Sequence, residues 1–207
     1  MQENYHHDDL KSELIEKGLK LLDEEGYEGF SLRKVAKACN VSHAAPYRHF
    51  KNKDELILAI GMEAMAKFSQ SLQNAVNQYP DDPRSQLKEM GYSYIKFFTE
   101  NPEYLRLIFL SDINKRINNS SQDSNGGHCF ADKEISEHPF EILYRAVERY
   151  KTVIQSNTDN SMDQDALVLY CWGLVHGISI LISRKEFPYQ GDHLELARKI
   201  LWEKAFA

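Results

Sequence analysis

Residues 26–53 read GYEGFSLRKVAKACNVSHAAPYRHFKNK, and local signals in this stretch predict two short helices separated by a turn. The first helix is expected over residues 32–39, because the hydroxyl of Ser31 can cap the free amides of its first turn. Asn40 tolerates the left-handed conformation that a tight turn requires. The second helix is then expected over residues 43–50, directly after that turn.

A longer helix precedes this pair. Apolar residues recur at helical spacing over residues 10–25, and Gly26 supplies a C-terminal stop. Ser42 can cap the third helix, and Pro46 falls in its first turn, where few amide hydrogens have partners to lose. Three helices in this order, the last two short and joined by a turn, predict a helix-turn-helix unit.

The remaining chain shows the apolar spacing of further helices and no sustained strand alternation. The expected helices cover 53–79, 84–99, 104–110, a segment beginning at Pro139, 162–184, and a segment after Pro188. We therefore predict an all-α protein. The polar, Gly-containing stretch within residues 117–136 is expected to be a mobile loop.

Charge is unevenly distributed along the 207 residues. The chain has 25 Lys and Arg against 31 Asp and Glu, a net charge of -6 that on average argues against a nucleic-acid binder. Residues 29–53, however, contain six cations and no acid, so this stretch carries 6 − 0 = +6 and the rest of the chain (25 − 6) − 31 = −12. Because Lys and Arg bind DNA by neutralising phosphates, this distribution favours a DNA-binding role for the helix-turn-helix unit.

The third predicted helix has side chains that suit insertion into a DNA major groove. Ala44 and Ala45 are small, so the backbone can approach the bases and an alanine methyl can touch a thymine methyl. The free amides at the helix N-terminus, together with Ser42, can bind a phosphate. Four longer side chains can reach base edges or phosphates: His43, Tyr47, Arg48 and His49. The alternative is that these are ordinary surface residues of a solvated helix.

Residues 9–60 resemble the DNA-binding domain of the TetR family of transcriptional regulators in residue type and spacing. The most specific part of the match is YRHFKNK at residues 47–53. The resemblance implies an Ω-shaped homodimer. Its N-terminal domain would bind DNA, and its C-terminal helical domain would bind a small molecule and dimerise.

The resemblance also implies roles for individual positions. Arg33 would contact the phosphate backbone or a base, and His49 and Lys53 would contact phosphate. The complete expected DNA-binding set is Arg33, Ser42, His43, Ala44, Ala45, Tyr47, Arg48, His49 and Lys53. Phe50 would instead fill the core of the small domain. Pro46 departs from the family, in which many members carry Leu, and can shift the start of the helix.

Two domains are expected. A helix-turn-helix DNA-binding domain would cover residues 1–55 and a ligand-binding and dimerisation domain residues 56–207, linked by the helix over 53–79. Three scattered cysteines predict reduced thiols in a cytoplasmic protein, and the N-terminus lacks the cationic start and apolar run of a signal peptide.

The C-terminal half contains the run WGLVHG at residues 172–177, which resembles the Trp-His-Gly signature of one subclass of these regulators. Gly173 and Gly177 lie four residues apart on one helical face, which permits close helix approach. With the apolar stripe over residues 140–154, this predicts a four-helix dimer interface with two helices from each chain. The expected interface residues are Phe140, Leu143, Val147, Gly173, Gly177 and Leu181. The alternative is that both helices pack only within one subunit.

Aromatic residues in the C-terminal half suggest an apolar ligand site, oriented by a few polar groups. The expected ligand-binding residues are Tyr94, Phe97, Phe98, Tyr104, Tyr144, Trp172 and His176. The alternative is that these side chains form core, because aromatic stripes at helical spacing are more often core than pocket.

Other kinds of site find little support. No motif of a phosphate loop, dinucleotide fold, serine hydrolase or zinc protease is present, so we expect no enzyme, catalytic residue or cofactor. HHDD at residues 6–9 could form a metal site, but it lies at a chain terminus, where disorder is usual. His128-Cys129 and His138 lack the paired Cys-x-x-Cys spacing that would support zinc. The uncharged run over residues 166–182 falls just below the length of a spanning helix, so a helix buried among others is favoured over a membrane anchor.

These observations predict a transcriptional regulator, most simply a dimeric repressor. A small apolar or aromatic effector would release it from a palindromic double-stranded DNA operator. Three alternatives remain open: an all-α carrier or enzyme that uses the aromatic C-terminal half, a membrane-tethered protein, and an activator with the same fold.

Overall fold

The computed structural model describes residues 7–110, 138–154, 163–185 and 187–205, and this part of the chain contains helices and turns but no strand. The helices are α1 (His7–Gly29), α2 (Leu32–Ala38), α3 (Lys53–Gln78), α4 (Pro83–Glu100), α5 (Pro102–Leu105), α6 (Pro139–Ile154), α7 (Gln164–Ser183) and α8 (His193–Ile200). A 3₁₀ turn covers Pro46–Arg48, and wider π-type turns cover Arg106–Leu110 and Leu201–Ala205. The predicted all-α fold is confirmed.

Some sequence-based predictions lie outside the described residues. They concern the loop within 117–136, the pair His128-Cys129, and the side chains of residues 6–9.

Local signals determine where the N-terminal helices end and begin. Gly26 has φ 68° and ψ 179°, a conformation open mainly to glycine, and it breaks α1 into a long segment and a final turn. The Ser31 hydroxyl accepts a hydrogen bond from the Lys34 amide at 3.3 Å and caps α2, as predicted. Asn40 has φ 54°, which confirms the predicted left-handed turn residue.

The predicted third α-helix over residues 43–50 was wrong in detail. The chain forms turns there, followed by the 3₁₀ turn Pro46–Arg48, because Pro46 has no amide hydrogen to donate to a helical hydrogen bond. Bonds between residues three apart replace it: the Ala45 amide donates to the Ser42 carbonyl at 2.9 Å, and the Arg48 amide to the Ala45 carbonyl at 3.1 Å. The chain still turns in a helical sense, but more tightly than an α-helix.

Residues 7–64 together with 103–110 form the first of two compact units. Its core contains apolar side chains from α1, α2, α3 and the 3₁₀ region: Leu14, Phe30, Val35, Ala36, Phe50, Leu56 and Ile57. A methyl group at Gly18 would lie 3.0 Å from Ile60 Cδ1, so glycine permits the close approach of α1 and α3. Arg106 binds the Asp23 carboxylate through Nε and a terminal nitrogen, at 2.5 and 2.6 Å, and so joins the segment after α5 to α1.

Residues 65–102 with the described residues from 138 onward form the second unit. Helix α4 is central to it and packs against α6, α7 and α8. Gly91 permits this packing, since a methyl group there would lie 3.2 Å from Val175 and 3.4 Å from Leu201. The unit is therefore a helical bundle assembled around α4.

Helix α7 is long and apolar enough to span a membrane, by length and composition alone. In the structure Leu167, Val168, Cys171, Val175 and Ser179 are buried, as in a core helix of a bundle. The opposite face of α7 is also apolar but is exposed to solvent, so packing within the unit does not account for its composition.

Candidate DNA-binding surface and aromatic cluster

The turn after α2 exposes most of the side chains that were predicted to contact DNA. Pro46 and Phe50 point into the core, with Phe50 only 3% exposed. Between and before them the chain presents exposed side chains, namely Ser42, His43, Ala44, Tyr47 and Arg48. Tyr47 is 53% exposed, although large aromatic residues are usually more deeply buried, so its side chain is accessible to a partner.

Within this turn, two predicted contact residues are less accessible than the others. Ala45 is half-buried. His49 is also half-buried, with its ring 6.3 Å from the Phe50 ring, and its Nε2 atom is shielded from solvent. The predicted phosphate contact of His49 would therefore have to use another atom or a small rearrangement.

The cations of this unit divide into two groups. Arg33 and Lys37 are exposed on α2, on the side away from the buried Val35 and Ala36. Lys34 instead forms an ion pair with Glu25 and donates to the Gly29 carbonyl at 2.9 Å. The positive surface available to DNA is consequently smaller than the six cations counted in the sequence.

Lys53 makes contacts within the protein, with Tyr27, that the sequence did not predict. Its Nζ donates to the Tyr27 carbonyl at 2.9 Å and lies 3.9 Å from the centre of the Tyr27 ring. The Tyr27 hydroxyl donates to Asp54 Oδ1 at 2.7 Å. These contacts attach the first turn of α3 to the residues that follow the kink in α1. They give Lys53 a structural role beside the predicted phosphate contact.

In the second unit, the structure brings together three predicted ligand-binding residues. The Tyr94 hydroxyl lies 2.8 Å from His176 Nδ1, and Trp172 Nε1 donates to the Tyr94 oxygen at 3.3 Å. Burial raises the pKa of Tyr94 and lowers the pKa of His176, because each charged form is disfavoured away from water. The neutral forms of both side chains are favoured.

Aromatic rings surround Tyr94. The Phe98 and Phe68 ring centres lie 4.9 and 5.1 Å from that of Tyr94, and Phe97 lies 5.3 Å from Phe68. Phe98 is fully buried and so is core, whereas Phe97 is half-buried. Phe68 of α3 also belongs to this cluster, although it is not among the predicted ligand-binding residues.

The other predicted ligand residues lie elsewhere. Tyr104 is buried and belongs to the first unit. Tyr144 is 36% exposed on α6, where its ring lies 6.1 Å from that of Phe140. Phe140 in turn lies 6.4 Å from the Trp172 ring. The exposed pair on α6 thus reaches the edge of the hydrogen-bonded cluster.

One predicted interface residue is excluded by burial. Val147 is 0% exposed and packs inside the subunit, because its face of α6 is directed at the bundle core. Phe140, Leu143 and Leu181 remain at least partly exposed. A methyl group at Gly173 or Gly177 would meet nothing within 4 Å.

No group of three or more metal-ligating side chains occurs among the residues whose positions are described.

Comparisons with known proteins bear on both units. Residues 14–60 match the family model for bacterial regulatory proteins of the tetR family. The uncharacterised HTH-type transcriptional regulator YobS of Bacillus subtilis is 23% identical over 182 residues, covering 88% of this chain and 83% of that protein. The HTH-type nicotine-responsive transcriptional repressor HdnoR of Paenarthrobacter nicotinovorans is 25% identical over 146 residues, covering 70% of this chain and 73% of that protein.

A solved structure supports the same fold over nearly the whole chain. The regulator FadR from Bacillus subtilis, in complex with stearoyl-CoA, has a TM-score of 0.67 at 16% identity and covers 95% of this chain and 97% of that chain. Together with the exposed basic turn and the all-helical bundle, these similarities show that residues 14–60 resemble the DNA-binding domain of tetR-family regulators and that most of the chain is similar to HTH-type transcriptional regulators.

Proposed function

We propose that the protein is a cytoplasmic, dimeric repressor that binds a palindromic operator and is released by a small apolar or aromatic effector. The observation that carries the proposal is the exposed turn over residues 42–48, which lies beside the exposed cations of α2 and buries only Pro46. Such a surface suits DNA because phosphate contacts position a protein and base-edge contacts specify the sequence.

Within this proposal, the turn enters the major groove. Ala44 lets the backbone approach the bases, and Tyr47 and Arg48 reach base edges or phosphates. His43 and Ser42 contact the groove edge and a phosphate, while Arg33 contacts the backbone from α2. Lys53 and His49 act at the margin of the surface, because each also has contacts inside the protein.

The dimer is proposed to form through the exposed apolar face of α7 with the exposed side chains of α6. On α7, Leu169 is 68% exposed, Tyr170 43% and Leu181 46%, and the two glycines lie between them. Apolar side chains at this density favour a partner surface over water. A two-fold dimer would place two recognition turns in successive major grooves, about 34 Å apart.

The effector is proposed to bind the second unit beside Trp172 and His176, with Phe97 and Tyr144 on its accessible side. The C-terminal half would then belong to the Trp-His-Gly subclass. HdnoR, a relative, is described as nicotine-responsive, which is consistent with a small-molecule effector in this family of regulators. For an effector to release DNA it must bind the DNA-incompatible state more tightly, and each tenfold preference is worth about 1.4 kcal/mol.

DNA binding is tested with Arg48→Ala and a matched charge control. Operator fragments are first selected from a random DNA pool, and their affinity for the protein is then measured at several salt concentrations. Removal of one phosphate contact is expected to lower the magnitude of the salt slope by about 1. Lys20→Ala removes an exposed cation from α1, where it pairs with Glu16, and is expected to leave affinity and slope unchanged. Equal affinity for Arg48→Ala and wild type would contradict the assignment of the surface.

Membrane attachment is tested by fractionation. The proposal requires recovery in the soluble phase without detergent, with the apolar face of α7 covered by a second copy. Recovery only in detergent would favour an anchor.

A further inference from the structure

We infer that Glu25 limits the affinity of the protein for DNA, because it holds Lys34 away from the phosphates. This inference rests on the DNA-binding role in the proposed function. It goes further by assigning an acidic residue, outside the predicted contact set, that weakens binding. Removal of Glu25 is therefore expected to strengthen DNA binding, whereas removal of a contact residue weakens it.

Lys34 lies on the same face of α2 as the other cations of that helix. Arg33, Lys34 and Lys37 are all exposed. Lys37 follows Arg33 by four positions and Lys34 by three, and residues at these spacings are neighbours on a helix surface. The buried residues of the helix are Leu32, Val35 and Ala36. By position, Lys34 would be a third cation of the proposed DNA-binding surface.

Two groups at the end of α1 bind the ammonium of Lys34. Its Nζ forms an ion pair with Oε2 of Glu25 and donates to the Gly29 carbonyl at 2.9 Å. Of the six cations in residues 29–53, Lys34 is the one that pairs with an acid within the described part of the chain. The carboxylate thus compensates a charge that would otherwise attract a phosphate.

Lys53 shows the difference that an acidic partner makes. Its Nζ is also bound inside the protein, but by the carbonyl and the ring of Tyr27, which are both uncharged. Lys53 therefore keeps its full positive charge, whereas the charge of Lys34 is balanced by Glu25.

The backbone at Gly29 makes room for this arrangement. A methyl group there would lie 2.9 Å from Cβ and 3.1 Å from Oε2 of Glu25. Glycine lets the Glu25 side chain lie against the backbone, next to the carbonyl that also accepts from Lys34. An exposed ion pair alone would restrain a lysine only weakly. Here the carboxylate and the carbonyl act on the same ammonium.

The ion pair reduces what Lys34 can contribute to DNA binding. A protein cation gains affinity for DNA by neutralising a phosphate and releasing its counterions. DNA must either bind without Lys34 or take it from Glu25, which then needs a counterion of its own. In both cases the affinity and its dependence on salt are lower than the number of exposed cations implies.

The inference is tested with a double-mutant cycle on the full-length protein: Glu25→Ala, Lys34→Ala and the double variant. Binding to a DNA duplex of random sequence is measured at about 50 and about 200 mM salt, since phosphate contacts require no particular sequence. Glu24→Ala is the matched control, because it removes the same charge from the adjacent exposed position of α1. Binding to selected operator fragments is measured in parallel.

We expect Glu25→Ala to bind DNA more tightly than the wild type and more tightly than Glu24→Ala. One further phosphate contact adds about 0.9 to the salt slope, so the gain should be about 3.5-fold larger at the lower salt concentration. In the Lys34→Ala background, the effect of Glu25→Ala should fall to that of Glu24→Ala. Partial unfolding of a variant cannot imitate this result, because it would weaken binding.

The outcomes separate this inference from the proposed function. A gain for Glu25→Ala no larger than that for Glu24→Ala, or a gain that persists without Lys34, would overturn the inference and leave DNA binding standing. The expected gain without any preference for the selected fragments would support the inference and refute the operator-binding repressor. Absence of DNA binding by the wild type and every variant would overturn both.

Discussion

Alanine at Gly173 and Gly177 adds two methyl groups to the exposed face of α7 and changes nothing else. Within one subunit, neither methyl group meets another atom within 4 Å. Both positions lie inside a helix, where alanine is about 0.8–1.0 kcal/mol more favourable than glycine. If water covers this face, the double variant is expected to be about 1.6–2 kcal/mol more stable than wild type.

The proposed dimer reverses this expectation for association. Small residues allow two helices to approach closely, and a methyl group at each glycine would separate them. Overpacking a contact costs about 1–3 kcal/mol, and each substitution occurs in both copies. We therefore expect the dissociation constant of the dimer to rise by tenfold or more, since each factor of ten corresponds to about 1.4 kcal/mol.

Two measurements distinguish the gain in subunit stability from the loss of dimer affinity. Sedimentation over a range of protein concentrations reports the dissociation constant, and urea unfolding at two concentrations separates subunit stability from association. Lys96→Ala, an exposed substitution on α4, is the control and is expected to leave association unchanged. A double variant that is more stable and dimerises as tightly as wild type would refute the placement of the interface.

Three further predictions concern single residues and their local chemistry. Gly26→Ala is expected to lower the free energy of unfolding by about 1–3 kcal/mol. The loss would come from backbone strain alone, because a methyl group there meets nothing within 4 Å. Urea unfolding measures this loss, and a stability equal to that of the wild type would contradict the prediction. Tyr27→Phe removes the hydrogen bond to Asp54 but keeps the ring beside Lys53, so we expect the free energy of unfolding to fall by about 1 kcal/mol and DNA binding to weaken. Asp54→Asn should lose a similar amount of stability, and the double variant little more than either single variant. Burial lowers the pKa of His176 in the folded state below its unfolded value of about 6.5, so its contribution to stability is present above that pH and is lost as pH falls through the folded pKa. The free energy of unfolding, measured from pH 8 to 5, should therefore decline less in His176→Gln than in the wild type. An equal decline in both proteins would contradict this prediction.

Much of the backbone structure around the proposed DNA-binding surface could be predicted because its signals are local. The cap at Ser31, the left-handed Asn40 and the stop at Gly26 each depend on a residue and its immediate neighbours. Pro46 was visible in the sequence too, but its effect was underestimated. A 3₁₀ turn that begins at Pro46 stands where the α-helix was predicted, in keeping with the amide hydrogen that proline lacks.

The features that were not predicted depend on contacts between residues far apart in the sequence. Lys53 was assigned only to phosphate because its partner Tyr27 lies 26 positions earlier, beyond the kink in α1. Val147 fits the periodic stripe of α6, yet periodicity does not distinguish a face that packs inside the subunit from one that meets a partner. Phe68 joined the aromatic cluster through the packing of α3 on α4.

By itself, the sequence determined the helical fold, the helix-turn-helix unit and the concentration of positive charge in residues 29–53, since caps, turns and charge are properties of neighbouring residues. Only the tertiary structure decided which aromatic residues share a polar network. Tyr94 is 78 positions from Trp172 and 82 from His176, and these side chains meet because α4 packs against α7. The sequence could name these three residues as candidates. Which of these side chains contact one another depends on that packing, because no local signal connects residues so far apart in the chain.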